Sequence, residues 1–347
     1  MSSPRLHEDW PHADKAMWTR LISPGAPLDE RGALAHVRAT TLVSLQMQYR
    51  HWLRWLQRAD PAALVEPPET RLTLERLRAW LEDLAGTRPM TRLAYVSAVL
   101  RIVSAHAPER DWSAHHRLRA VLKHEAGRGD PSRKAGRIIS SERLLAAGLV
   151  HAGDHAAQAA TELERMKRQR DGTIVALLAV LPMRARSLAG LRLDRSILFT
   201  ADAVRIALDA ALTKTGTVWE SRVTGPAEAI LRIYAATARP WLLARGGQQH
   251  DALWVGKQGQ PLSQSGLTDR IRAVTTVQLG AAIPPHLFRD AAATTLARSS
   301  PDCARLIRSV LGHAGFRTAE HHYIHARTID AGRNYASLIG TLKGERP

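Results

Sequence analysis

Residues Pro284–Arg327 read PPHLFRDAAATTLARSSPDCARLIRSVLGHAGFRTAEHHYIHAR, and the fold of the 347-residue chain is read outward from them. Pro284 and Pro285 set a helix start, and the Ala/Thr/Leu-rich run after them predicts a helix over His286–Ala297. His286 and Arg289 are three apart, so that helix carries both on one face. A second helix is expected over Pro301–Leu311, ending in Leu311-Gly312-His313. Gly315 breaks the chain and Thr318 is suited to cap a short new helix, which returns Tyr323 toward the same place. Two imidazoles, a guanidinium and a phenol are groups with which a phosphodiester can be cut.

Composition narrows the partner. Lys and Arg number 49 against 32 Asp and Glu, a net charge of +17, which points to a polyanion and favours nucleic acid over an acidic membrane surface. The single cysteine, Cys303, excludes an internal disulfide framework and a cysteine-rich zinc site. Met1–Arg20 holds charges but no apolar core, so no signal peptide is read there. The longest apolar run, Thr173–Met183, falls short of the ~20 residues of a membrane span. The expectation is a soluble, cytoplasmic, nucleoid-associated protein with no membrane partner.

Four regions follow from periodicity. Residues 1–30 carry Pro and Trp without a clear repeat and are expected to form an irregular arm. Over 31–126, apolar residues recur at three- and four-residue steps (Leu42, Leu45, Tyr49, Trp52, Leu53, Leu56, then Leu74–Leu84, Thr91–Val103 and Ala114–His124) and predict a four-helix bundle. Arg50, Arg54, Arg58, Arg76, Arg78, Arg88, Arg92 and Arg101 fall on its polar faces; each alone is a solvated charge, but the set suits a phosphate-contacting surface. Residues 127–137 are glycine-bearing and basic, with Arg133 and Lys134, and are expected to be a linker. Residues 138–347 are expected to be mainly helical. Ser140 is read as an N-cap, a long helix is placed from about His155, and three short β-runs appear at Ser196–Phe199, Ala203–Leu208 and Val218–Val223. The last two runs are joined by Thr213-Lys214-Thr215-Gly216-Thr217. The expected fold class is mainly α in two domains, the second with a small antiparallel sheet.

The Pro284–Arg327 segment resembles the C-terminal motifs of the tyrosine recombinases, the phage-integrase family: His-x-x-Arg, Leu-Gly-His, then a tyrosine. Tyr323 lies ten positions after His313, one more than the commonest spacing. The resemblance implies a SAM-like core-binding bundle ahead of the catalytic domain. It places the first catalytic arginine at Arg184, in LPMRARSLAGLRLD (Leu181–Asp194), rather than at Arg186 or Arg192. It also assigns the hairpin lysine to Lys214. Two positions depart from the pattern: Ser187 stands where an acidic residue is usual, and Asp290 follows Arg289 where relatives carry neutral or basic side chains. Of the five tyrosines, Tyr49 and Tyr95 sit in apolar stripes, Tyr234 precedes His-x-x-Arg, and Tyr335 lies too far on, in an apolar stripe with Leu338, Ile339 and Leu342. Tyr323 remains as nucleophile.

The resemblance further implies that Arg184 and Arg289 hold the nonbridging oxygens, with His286 as proton acceptor, His313 as hydrogen-bond donor and Lys214 as general acid. A 3′-phosphotyrosyl intermediate conserves the bond energy, so no cofactor is expected. His321, His322 and His325 surround Tyr323 without a His-Glu-x-x-His motif, a cysteine pair or a carboxylate set, and no metal is expected there. The implied partners are double-stranded DNA, contacted by residues such as Arg50, Arg54, Arg92, Arg133 and Lys134, a homotetramer on two DNA sites, and accessory DNA-bending or directionality proteins. The implied activity is site-specific recombination or integration in a mobile element, phage or plasmid. The alternative is a DNA-binding accessory or regulatory protein with a retired catalytic site.

Overall fold

The structure is a computed structural model that describes residues 9–26, 30–127, 137–213 and 218–299. The chain divides into two compact units, Met1–Pro131 and Ser132–Pro347.

In the first unit the region expected to be an irregular arm instead holds a helix, α1 (His12–Ile22). Trp10, Met17, Trp18 and Leu21 sink into the core, and the expectation missed them because Pro11 and polar residues interrupt the periodicity. A buried ionic network anchors α1. The Asp14 carboxylate accepts from Arg71 Nη1 at 2.9 Å and from Tyr49 Oη at 2.6 Å, with all three side chains excluded from solvent. Arg71 Nε also donates to the Glu66 carbonyl at 3.2 Å, so the charge pair is satisfied within the core.

Helix α2 (Ala39–Ala59) follows, then a 3₁₀ turn (Pro61–Val65), α3 (Pro68–Arg71), α4 (Leu74–Asp83), α5 (Pro89–His106) and α6 (Ser113–Ala126). Each has a legible start or stop: Thr73 Oγ1 accepts from Arg76 N at 3.2 Å, Pro89 opens α5, and Gly127 closes α6 at φ 54°. Tryptophans fill the middle of the bundle: Trp52 stacks on Trp55 at 5.2 Å and leans on Trp80 at 5.0 Å.

The second unit is built around α9 (Glu162–Val180), whose segment Thr173–Ala179 is buried throughout. Ahead of it come α7 (Ser141–Ala152), capped by Ser140 as expected, and the four-residue α8 (Asp154–Ala157). The long helix placed from about His155 is therefore two elements, because the chain turns again before Thr161 caps α9. Helices α7 and α9 cross at glycines. A Cβ on Gly148 would lie 2.5 Å from Ala176 N, and one on Gly172 would lie 2.4 Å from Ala152 N.

After α10 (Ala185–Ala189) come β1 (Ile197–Phe199), β2 (Val204–Leu208) and β3 (Trp219–Val223), an antiparallel sheet in sequence order. Its register pairs Ile197 with Ile206 and Val204 with Val223. Ile197, Val204, Ile206, Leu208 and Val223 face the core while Leu198, Arg205 and Arg222 face solvent, the alternation expected of a half-buried sheet. Helices α11 (Pro226–Ala236), α12 (Ala238–Arg245), α13 (Gln264–Leu279) and α14 (Pro285–Ser299) complete the unit. The observed class is mostly α with one small antiparallel sheet.

Candidate active site

Arg184 is the N-cap residue of α10, at φ −71° and ψ 148°. It is held there from below: the Trp254 indole donates to the Leu188 carbonyl at 3.0 Å, and Leu188 N closes the first turn on the Arg184 carbonyl at 2.9 Å. Arg184 forms no hydrogen bond or ion pair to any described residue, and burial pushes its guanidinium below the usual arginine range.

Arg289 lies on α14, the helix expected at the double proline. Thr275 Oγ1 accepts from Ile283 N at 2.9 Å, which places the turn, and Leu287, Phe288 and Ala291 bury one side of the helix. Arg289 Nη1 donates to the Pro182 carbonyl at 2.7 Å, so α14 is tied to the strap that leads into Arg184. Burial first, and then the charge of Arg184, pushes Arg289 down to about 10, with Asp290 acting in the opposite sense. Two guanidiniums that repel each other while partly stripped of water are suited to hold an anion between them. His286, one turn before Arg289 on the same helix, is exposed.

Ser187 does not take the part of an acid beneath Arg184. Its Oγ, 3% exposed as a residue, donates to the Leu212 carbonyl at 2.8 Å. Gly190 packs on the same residue, since a Cβ there would lie 2.5 Å from Leu212 Cδ2. Helix α10 therefore carries Arg184 at its start and grips the chain two residues before Lys214 along its body. Lys214, His313 and Tyr323 lie outside the described residues, as do Arg133 and Lys134, the helix expected over Pro301–Leu311 and the C-terminal stripe. Two of the described tyrosines are poor nucleophiles. Tyr49 donates to Asp14 and Tyr234 to the Leu253 carbonyl at 2.8 Å; both are fully buried, which pushes both phenols upward. Tyr95 stacks on His51 at 4.6 Å.

The arginines of the first unit divide into two groups. Arg54, Arg78, Arg88 and Arg101 are exposed and Arg92 is half-buried. Arg50 is paired with Asp9, and Arg58 with Asp83 at 3.3 Å. Arg76 is clamped by both oxygens of Glu66 at 2.7 and 2.8 Å and by Asp60 at 2.8 Å, so it braces the 3₁₀ turn.

The Pro182 and Leu212 carbonyls and the Trp254 indole are the parts of the site that residue patterns did not disclose. Main-chain acceptors have no sequence signature, and Trp254 lies more than sixty residues from the turn it supports.

The structure aligns with the XerH site-specific recombinase bound to palindromic difH substrate in a post-cleavage complex, with a TM-score of 0.56 and 16% identity, over 86% of this chain and 80% of that one. It also aligns with the Tn1549 transposon integrase in complex with a circular intermediate DNA, with a TM-score of 0.51 and 12% identity, over 92% and 98%. These likenesses define a tyrosine recombinase fold. Residues 153–328, just over half the chain, match the family model described as Phage integrase family, and the chain belongs to that family. Tyrosine recombinase XerC of Pseudomonas syringae pv. syringae (strain B728a) is 30% identical over 151 residues, 44% of this chain and 46% of that protein. XerC of Stutzerimonas stutzeri (strain A1501) is 28% identical over 240 residues, 61% and 75% respectively. The chain thus spans about half the length of the first of these relatives. Among the described residues no helix is long and apolar enough to cross a membrane.

Proposed function

We propose that this chain is a site-specific DNA recombinase that breaks and rejoins strands through a 3′-phosphotyrosyl intermediate and a Holliday junction. The observation that carries the reading is the Arg184–Arg289 pair: two partly desolvated cations, one depressed by the other, on elements tied by the Arg289–Pro182 hydrogen bond. A phosphodiester carries one negative charge, and its in-line transition state spreads charge over the equatorial oxygens. Prepaid positioning of two guanidiniums stabilises that state more than the ground state. Arg184 and Arg289 take the nonbridging oxygens. Tyr323 Oη attacks phosphorus as its proton passes to His286, the P–O5′ bond breaks, and Lys214 protonates the departing 5′ oxygen while His313 donates to the phosphoryl group. Attack by the 5′ hydroxyl of a second strand reverses the step. The anchoring of Leu212 by Ser187 supports the place given to Lys214, since Leu212 lies two residues before it in the connection from β2 to β3.

Double-stranded DNA is the substrate, bound through exposed cations of the first unit that include Arg54, with Arg50, Arg92, Arg133 and Lys134 completing the set. The working form is a homotetramer on two sites in the cytoplasm at the nucleoid, assisted by accessory bending or directionality proteins, and the context is a mobile element, phage or plasmid. The domains of this reading are the bundle of 31–126, a basic linker of 127–137 and a catalytic domain of 138–347. The test uses DNA from the gene's own neighbourhood, nicked just beyond the cleavage point so that religation is blocked. A denaturant-resistant protein–DNA adduct with wild type that is absent with Tyr323→Phe is the expected result. Tight binding to the true site without any adduct overturns it in favour of an accessory protein with a retired site.

A further inference from the structure

Tyr234 on α11 is wholly buried and takes no part in the chemistry derived above. Its hydroxyl donates to the Leu253 carbonyl at 2.8 Å and accepts from Val255 N at 3.2 Å, so it clasps the main chain on both sides of Trp254. Its ring stacks on the Trp254 indole, with centroids 5.3 Å apart and planes at 28°. We propose that Tyr234 and Trp254 are positioning residues for Arg184: together they set the place of α10, and so of the guanidinium that its N-cap residue presents. That role rests on the recombinase reading of the Arg184–Arg289 pair.

The contacts run from α11 to Arg184 without a gap. Residues 251–253 lie antiparallel to 191–193, the chain that leaves α10. Leu193 N donates to the Asp251 carbonyl at 2.8 Å, and Leu253 N donates to the Leu191 carbonyl at 2.9 Å. Arg170, buried on α9, donates from Nη1 to the Val255 carbonyl at 2.9 Å. With the backbone around Trp254 held by α9 and α11, the indole N–H is aimed at the Leu188 carbonyl, 3.0 Å away. That carbonyl is among the last four of a short helix, which have no partner a full turn on, and Leu191 N reaches it only at 3.4 Å. Leu188 N in turn closes on the Arg184 carbonyl at 2.9 Å.

The polar atoms separate this from ordinary core packing. Phenylalanine fills either place, and burying a hydroxyl or an indole N–H costs free energy unless it finds a partner. Here the partners lie on α10 itself and on the segment that braces it. Arg184 has no hydrogen bond or ion pair to any described residue, so the backbone of its N-cap position fixes where its side chain starts. A shift at Leu188 reaches Arg184 through a single turn, and misplacement on the order of 1 Å is enough to slow a positioned reaction severely.

The test uses the full chain and the nicked substrate of the adduct assay in two forms. One has the natural phosphodiester at the cleavage point; the other has a methylphosphonate, in which a neutral methyl group replaces one charged oxygen. On the phosphodiester, single-turnover adduct formation is expected to slow about tenfold in Tyr234→Phe and in Trp254→Phe. The double variant is expected to be no slower than the worse single one, because both substitutions act through the same carbonyl. On the methylphosphonate a guanidinium has less charge to hold, so both penalties are expected to shrink to within threefold, in step with that of Arg184→Ala. Gel shifts and urea melts establish that each variant binds DNA and is folded. Should Trp254→Phe fail to fold, Tyr234→Phe, which removes one oxygen and keeps the stacked ring, decides alone. Wild-type rates in the variants, or a penalty of equal size on the two substrates, overturn the positioning role and leave the recombinase reading standing. Absence of an adduct with wild type on the true site removes that reading and this role with it.

Discussion

Arg289 Nη1 donates to the Pro182 carbonyl oxygen at 2.7 Å, two residues before Arg184. One guanidinium therefore holds both its own place on α14 and the strap that presents the second. A lysine has no fork with which to do both. Arg289→Lys should lower the rate of adduct formation on a nicked substrate about 10²–10³-fold, with DNA affinity in a gel shift nearly unchanged. A rate within threefold of wild type would separate this bond from the chemistry.

Ser187 is a hydrogen-bond donor to Leu212, so an acid at this position should harm this chain. Ser187→Ala loses one bond and should slow cleavage about tenfold. Ser187→Asp sets a carboxylate against a carbonyl oxygen at a buried position and should be slower still. The rates of the two variants under single-turnover conditions check the order, and faster cleavage by Ser187→Asp would refute it.

The crossing of α7 and α9 has no room for a methyl group at Gly148 or Gly172, because the nearest atoms are backbone. Gly148→Ala and Gly172→Ala should each cost about 3 kcal/mol in urea unfolding. Gly86, around which a Cβ would meet nothing within 4 Å, is the control and should tolerate alanine with little change.

In the first unit, Asp14→Ala leaves Arg71 charged and buried without its carboxylate. A loss of about 3–5 kcal/mol is expected, against less than about 1 kcal/mol for Arg58→Ala at the exposed pair with Asp83. Urea melts followed by tryptophan fluorescence, to which the packed indoles of that unit contribute, report both.

Burial, followed by the charge of His155, pushes His151 down from the ordinary 6.5 to about 4, with Asp171, Arg168 and Glu164 as its other charged neighbours. Between those values the unfolded chain takes up a proton that the folded chain refuses. Stability should therefore fall as pH drops from about 6.5 to about 4 and level off below, by ~3 kcal/mol in total. His151→Gln should flatten that part of the pH profile measured by urea unfolding.

By itself the sequence determined the local elements and the inventory of chemistry. The three strands were legible because apolar residues alternate with polar ones, and α14 because a double proline precedes an alanine-rich run. Arg184, His286 and Arg289 became candidates because the leucines, glycine and prolines around them resemble the motifs of a known family. Tertiary structure alone decided what those residues do to each other. Met17 and Trp18 become core, and α1 a packed helix, because their apolar faces meet the bundle and Asp14 meets Arg71 fifty-seven residues away. Arg76 leaves the phosphate-facing set because Glu66 and Asp60 fold back onto it. Ser187 anchors Leu212, and Arg289 is bound to Pro182, through main-chain carbonyls that every residue possesses. Such contacts depend on which backbone atom arrives within about 3 Å, and that is a property of packing with no counterpart in residue type.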